Sequence, residues 1–235
     1  MTKFESIVTG VHLYKCQAMI RSVSSTILGS AVAMSIALAQ PPPKIIILVG
    51  PPGSGKTTQA NLLAKKHGIP AFSMADLLKK EMAKKDPVTK ALAATIASGE
   101  MLPDETATNL IRLHLLRSDF RKGFVLDGFP ATAGQAKALD RMLEDVQLQK
   151  PVVVVLEASD DIIRKRMLGR RRVDDKPENI DRRIREFRDE AALLAGWAGH
   201  TRVVLVNSNA SIAQVSAQIE AGLEKAWLKQ LSQRP

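Results

Sequence analysis

Apolar residues along this 235-residue chain fall into two rhythms. Short unbroken runs, several rich in β-branched side chains, occur at residues 44–49 (KIIILV), 69–72, 123–126 (GFVL), 151–156 (PVVVVL) and 202–206 (RVVLV). The first predicts a strand buried on both faces of a parallel sheet, and the others further strands. Between them, apolar residues recur at helical spacing. Helices are predicted over 56–67, 75–85, 88–97, 103 or 104 to 116, 134–148, 160–168 and 179–194. Gly68 is placed as a helix stop, and Asp86-Pro87 and Ser98-Gly99 as breaks. In the tail Ile212, Val215, Ile219, Leu223 and Trp227 stand mostly four apart, an amphipathic helix packed on the core. Strands alternating with helices predict an α/β fold with a doubly wound, five-stranded parallel sheet.

Residues 1–43 follow neither rhythm. The run ILGSAVAMSIALA at 27–39 follows Arg21 and is shorter than the ~20 apolar residues needed to span a bilayer. It ends Ala37-Leu38-Ala39 before Gln40, the small-x-small pattern of a cleaved leader. Met19 is an alternative start that gives a compact leader. Pro41-Pro42-Pro43 then forms an extended spacer. The expected division is a leader with spacer over 1–43 and one domain over 44–235. An exported or periplasmic location is favoured, with the cytoplasm as the alternative and no stable membrane span after cleavage.

Composition narrows the classes further. An apolar content of 45% excludes a disordered chain, and Cys16 as the single cysteine excludes a disulfide scaffold. The net charge of +10 is compatible with nucleic acid, an acidic surface or phosphorylated small molecules. Aromatic residues, at 4%, are few for base stacking, and no nucleic-acid recognition motif is present.

The decisive motif is Gly50-Pro51-Pro52-Gly53-Ser54-Gly55-Lys56-Thr57, which fits the P-loop pattern between a buried strand and a helix. Glycines let the backbone curl so that N–H groups point at phosphate oxygens, and the following helix adds its positive end. Lys56 brings a point charge to the β- and γ-phosphates, and the Thr57 hydroxyl suits Mg²⁺. The motif implies a nucleoside triphosphate such as ATP, without fixing a reaction.

Further blocks appear in order: Phe72-Ser73-Met74-Ala75-Asp76-Leu77-Leu78-Lys79, Ser98-Gly99-Glu100-Met101-Leu102-Pro103-Asp104-Glu105, and Gly123-Phe124-Val125-Leu126-Asp127-Gly128-Phe129-Pro130 with Gln135-Ala136. Arg166-Met167-Leu168-Gly169-Arg170, Arg172-Val173-Asp174-Asp175 and Arg182-Arg183 complete the series. Over about residues 44–230 the chain resembles the adenylate kinase family, which includes the UMP/CMP kinases. The resemblance implies a P-loop nucleoside triphosphate hydrolase fold with a small helical monophosphate-binding insert at 73–102 and a short lid at 169–177. It implies reversible phosphoryl transfer from ATP to a nucleoside monophosphate, AMP foremost, and a monomeric chain.

The resemblance also implies residue roles. Gly53, Ser54, Gly55, Lys56, Thr57 and Thr58 would hold the ATP phosphates, and Arg166 would lie over the ATP base. Thr57 and, through water, Asp127 would hold Mg²⁺. Lys56, Arg170, Arg172 and Arg183 would stabilise the phosphoryl group in flight, because planar guanidinium forks match its equatorial oxygens. Ser73, Asp76, Lys79, Gly128 and Gln135 would meet the acceptor, together with Arg172 and Arg183. Plainer readings stand beside these. Asp127 is also a turn or helix-cap residue, Asp76 a helix N-cap, and Gln135 a surface helix residue. The arginines also fit a solvated helix face paired with Asp174, Asp175, Glu178 and Asp181. The short lid and lack of a cysteine cluster predict no structural zinc.

Departures from the family pattern converge on the acceptor. Ala131 stands where the family has an arginine after Asp-Gly-Phe-Pro, and Lys79 where it has a second arginine. Met74 and Ala75 replace a small polar residue and a glycine. Lysine supplies charge without a bidentate fork, and alanine supplies nothing. The leading reading is a nucleoside monophosphate kinase. The alternatives are an ATP-binding pseudo-kinase and a P-loop kinase for another small acceptor.

Overall fold

The computed structural model describes residues 43–83, 102–115, 122–170, 175–199 and 201–232. The leader, the predicted helix at 88–97 and Arg172 lie outside the described residues. The chain order is β1 (Lys44–Val49), α1 (Lys56–His67), β2 (Ala71–Ser73), α2 (Met74–Met82), α3 (Asp104–Leu115) and β3 (Gly123–Asp127). It continues with α4 (Ala133–Asp145), β4 (Val152–Glu157), α5 (Asp160–Arg170), α6 (Pro177–Ala198), β5 (Arg202–Asn207) and α7 (Ile212–Ser232).

The five strands form one parallel sheet in the order β2-β3-β1-β4-β5, as the alternating pattern requires. On one face Ile45, Ile47, Phe124, Leu126 and Val153 pack against α2, α3, α4 and α6. On the other, Ile46, Leu48, Val125, Val154 and Val204 pack against α1 and α7. Central strands are therefore apolar on both sides, which explains the unbroken β-branched runs. Burying a side chain such as Ile47 contributes about 2–3 kcal/mol.

Some boundaries differ from the sequence expectation. Strand β2 begins at Ala71 rather than 69, because Pro70 has no N–H to give a ladder; its carbonyl instead accepts the Val125 N–H at 2.8 Å. Helix α4 ends at Asp145 rather than 148. Gln147 adopts φ 55°, and the N–H groups of Leu148 and Gln147 return to the carbonyls of Leu143 and Glu144 at 2.8 and 2.9 Å. That is a Schellman stop built without glycine, so its usual signature is missing from the sequence. Helix α6 runs four residues beyond the predicted 194, because Trp197 and Ala198 are buried and the Trp197 indole donates to Asp140 at 2.8 Å.

Parallel strands bring all their C-terminal ends to one edge. The P-loop after β1, Ser73 at the end of β2, Asp127 at the end of β3 and the turn after β5 therefore share that edge. Among the described residues no helix is long and apolar enough to cross a membrane.

Candidate functional site

The first part of the candidate site is built around the turn between β1 and α1. Gly53 has φ 78°, and a Cβ there would press on Met167 of α5 at 2.9 Å. Gly55, at φ 97°, is the N-cap of α1 and has open space where a Cβ would be. Only glycine gives this curl without strain. The first turn of α1 carries no acidic residue, so its N–H groups and dipole are left for an anion, while Lys65, Lys66 and His67 complement its C-terminal end. Ser54 is buried inside the loop, and among the described residues its Oγ has no hydrogen-bond partner. A phosphate fits such a cradle on all three counts.

Lys56 folds back under the loop and donates to the carbonyls of Gly50 at 2.7 Å and Pro51 at 2.8 Å. Desolvation pulls its ammonium down from 10.5 to about 8, against the attraction of Asp127 and with added repulsion from Arg183 and Arg170. The next residue, Thr57, donates its hydroxyl to Asp127 at 2.5 Å. Asp127 ends β3 and is buried; its burial pushes the carboxyl up from 3.8, opposed by Lys56 and by hydrogen bonds from Thr57 and Ser73. The hydroxyl and carboxylate are hard oxygen donors. They fit Mg²⁺, which needs only one or two protein oxygens when substrate phosphates and water complete its shell.

Helix α5 leaves β4 and passes behind the P-loop, where Ile163 and Met167 form a small core with Ile180 and Ile184 of α6. This packing carries two of the expected arginines. Arg166 donates to the carbonyls of Ser208 at 2.8 Å and Ala210 at 3.4 Å, so its guanidinium is tied to the turn after β5. Arg170 grips Asp175 with two parallel bonds, Nε at 2.5 Å and Nη2 at 2.8 Å. Arg183 of α6 approaches the same carboxylate at 3.7 Å. The Asp175 side chain is fully buried beneath them. Asp181 pairs instead with Arg164, at 2.7 Å. Arg170 and Arg183 thus stand beside Lys56 with a shared carboxylate between them.

The residues expected to meet the acceptor are placed differently. Ser73, Asp76 and Lys79 line an open cleft of about 380 Å³ with Phe72, Leu77, Lys80 and His114. Asp76 is not the helix cap that its position suggested, because the N-cap of α2 is Ser73, without a capping side-chain bond. Asp76 is exposed and pairs with exposed Lys79 at 3.4 Å. Gln135 is buried in α4 rather than on its surface. Its Oε1 accepts the Ala131 N–H at 2.8 Å and its Nε2 donates to Asp104 at 3.0 Å. Gly128 follows Asp127 with φ 76° and reaches towards Met74. Thr58 is exposed beside Thr57 in the first turn of α1.

Of the residues singled out from the sequence, the structure brings Lys56, Thr57, Asp127, Arg170 and Arg183 together, while Arg172 lies outside the described residues. Sequence reasoning missed the Arg166 anchor, because two backbone carbonyls leave no mark in composition. It also missed Asp104 as the partner of Gln135, since the two are far apart in sequence and on different helices.

The adenylate kinase family model matches residues 48–199. The adenylate kinases of Brucella abortus (strain S19), Brucella ovis and Brucella suis biovar 1 are each 36% identical to the chain over 186 residues, covering 74% of it and 96% of themselves. A shared P-loop sheet and a match of this extent give the same conclusion: the chain belongs to the adenylate kinase family and is a phosphotransferase of the nucleoside monophosphate kinase class.

Proposed function

We propose that the protein moves the γ-phosphoryl group of ATP reversibly to a nucleoside monophosphate, with AMP as the first acceptor and Mg²⁺ as cofactor. The observation that carries this reading is the grouping of Lys56, the Thr57–Asp127 pair and the two arginines on Asp175 around one cradle. Gly53, Ser54, Gly55, Thr57 and Thr58 would bind the ATP phosphates, and Arg166 would flank the base. Thr57 and Asp127 would hold Mg²⁺, which supplies charge neutralisation on the transferred phosphates when bound. Lys56 neutralises β- and γ-oxygens. Arg170 and Arg183 exchange their carboxylate for the equatorial oxygens, joined by Arg172. No general base is needed, because an acceptor phosphate oxygen is already a nucleophile. The segment 73–102 would serve as the acceptor insert, residues 169–177 as the lid, and the chain would act as a monomer.

The test is a coupled assay with ATP, Mg²⁺ and AMP, UMP, CMP or GMP, run on the full chain and on a chain starting at Gln40. AMP should give the highest kcat/KM, and ADP alone should drive the reverse reaction. No turnover with any monophosphate would defeat the reading. A second reading is favoured by one feature, Ala131 beside a lysine at 79: ATP binds but acceptor turnover is negligible. Calorimetry that finds ATP binding without measurable transfer would select it.

A further inference from the structure

Gln135 is held at both ends of its amide, and the residue that decides its orientation belongs to another helix. Asp104, in the first turn of α3, accepts from the Gln135 Nε2 at 3.0 Å and from the Thr132 hydroxyl at 2.7 Å through the same Oδ1. Thr132 is the N-cap of α4, its Oγ1 accepting the Gln135 N–H at 3.1 Å. The remaining amide atom, Oε1, takes the Ala131 N–H at 2.8 Å. Rotating the amide by half a turn would set its NH₂ against the Ala131 N–H and its carbonyl against a carboxylate. Both contacts would be repulsive, so a single orientation survives.

Gly134 completes the arrangement. A Cβ at this position would collide with the Oδ2 of Asp104, whereas the backbone there makes no demand for left-handed geometry. Glycine at 134 therefore admits the carboxylate.

We infer that Asp104 is a positioning residue that fixes the Gln135 amide in one orientation and thereby sets which acceptor base the enzyme selects. This rests on the proposed reading of Gln135 as the base-contacting glutamine. With one N–H spent on Asp104 and one lone pair on Ala131, the amide keeps one N–H and one lone pair. That pair complements a base edge with an acceptor beside a donor, as in adenine, in one order only. A base with donor and acceptor interchanged meets like against like. A site built to hydrogen-bond discriminates strongly when its polar groups cannot pair.

Two measurements test this on the full chain. In the first, the side-chain amide of Gln135 is followed by nitrogen NMR without any nucleotide. The wild type and Asp104→Asn, whose Oδ1 still accepts, should show slowly exchanging amide protons. Asp104→Ala and Gly134→Ala should lose that protection while the backbone spectrum stays folded. In the second, kinetics across the monophosphate panel should show Asp104→Ala raising KM for AMP about tenfold or more, with KM for ATP little changed. The ratio of kcat/KM between AMP and either GMP or UMP, whose base edges interchange donor and acceptor, should fall by about tenfold, and Asp104→Asn should restore it. Protected Gln135 protons in Asp104→Ala, or unchanged base discrimination, would overturn the inference. Absence of turnover in the wild type would instead defeat the proposed function, while the amide measurement still decides whether Asp104 pins Gln135.

Discussion

The regions proposed to bind donor and acceptor lie at the same edge of the sheet, yet they are made from different materials. On the donor side, Lys56, Thr57 and Asp127 are clamped between the ends of β1 and β3, and two arginines share a buried carboxylate. Around the cleft beside α2, Lys79 is exposed and paired with exposed Asp76, while Arg183, also expected to meet the acceptor, belongs to the arginine pair on Asp175. Charge on the donor side is preorganised by packing; on the acceptor side it is held by a surface ion pair, an interaction worth at most about 1 kcal/mol. On the proposed roles, the ATP half is preorganised, whereas the acceptor half has Ala131 and Lys79 in place of arginines.

The sharpest way to break this comparison is to remove the donor cation. Lys56→Met should lower kcat/KM by about 10³-fold or more with the chain still folded, since the change removes charge from the transferred phosphates. Activity retained within tenfold would mean that the donor half is not the organised one. The complementary change supplies what the acceptor half lacks. Ala131→Arg should raise kcat/KM for the monophosphate, by about 10² or more if the missing guanidinium is limiting, and lower its KM. No gain would show that the acceptor half has diverged beyond one side chain.

Asp175 tests whether the arginines are preorganised by burial. Asp175→Ala leaves two partly buried guanidinium groups without their shared partner and should cost about 3 kcal/mol in denaturant unfolding. ATP affinity should hold, because phosphate oxygens replace the lost carboxylate; a stability change near zero would count against the shared clamp.

The pH profile gives a smaller signal. With its pKa pulled down to about 8, Lys56 sheds its proton there in the free enzyme instead of at 10.5. The kcat/KM for ATP should therefore fall as pH rises through about 8, up to about tenfold per unit. For stability the sign is opposite. Between about 8 and 10.5 the unfolded chain binds more protons at this lysine than the folded one, so its contribution to stability rises with pH.

The smallest expected effect lies away from both halves. His67 is wedged between Glu220 at 3.2 Å, Lys44 and the Trp227 ring, and burial holds its imidazole below 6.5 despite Glu220. The unfolded chain then takes up protons first as pH falls below 6.5, so stability declines there. His67→Gln should flatten that decline in thermal melts at pH 5 and 7 while leaving the pH dependence of ATP use unchanged.

How much of this was readable beforehand depended on distance along the chain. The central strands β1, β3 and β4 were legible because burial on both faces demands unbroken apolar runs, and the P-loop because its curl demands glycine. Asp127 was legible from its place at the end of a strand within a family block. The end of α4 was not, since Gln147 takes the left-handed position that glycine usually marks. The burial of Gln135 was not, since a polar residue in a helix reads as exposed until its partner on another helix is known.

By itself, then, the sequence determined the parallel sheet, the phosphate cradle and the lack of an arginine at position 131. These are local matters: a rhythm of side chains, a run of glycines, the identity of one residue. The tertiary structure alone decided that Arg170 and Arg183 meet on one buried Asp175, that Arg166 is tied to the Ser208 and Ala210 carbonyls, and that Asp104 turns the Gln135 amide. Each of these joins residues from different elements, and a hydrogen bond forms only when two polar groups come within about 3 Å in the right direction. That condition is met by the packing of helices on the sheet, which no single segment specifies.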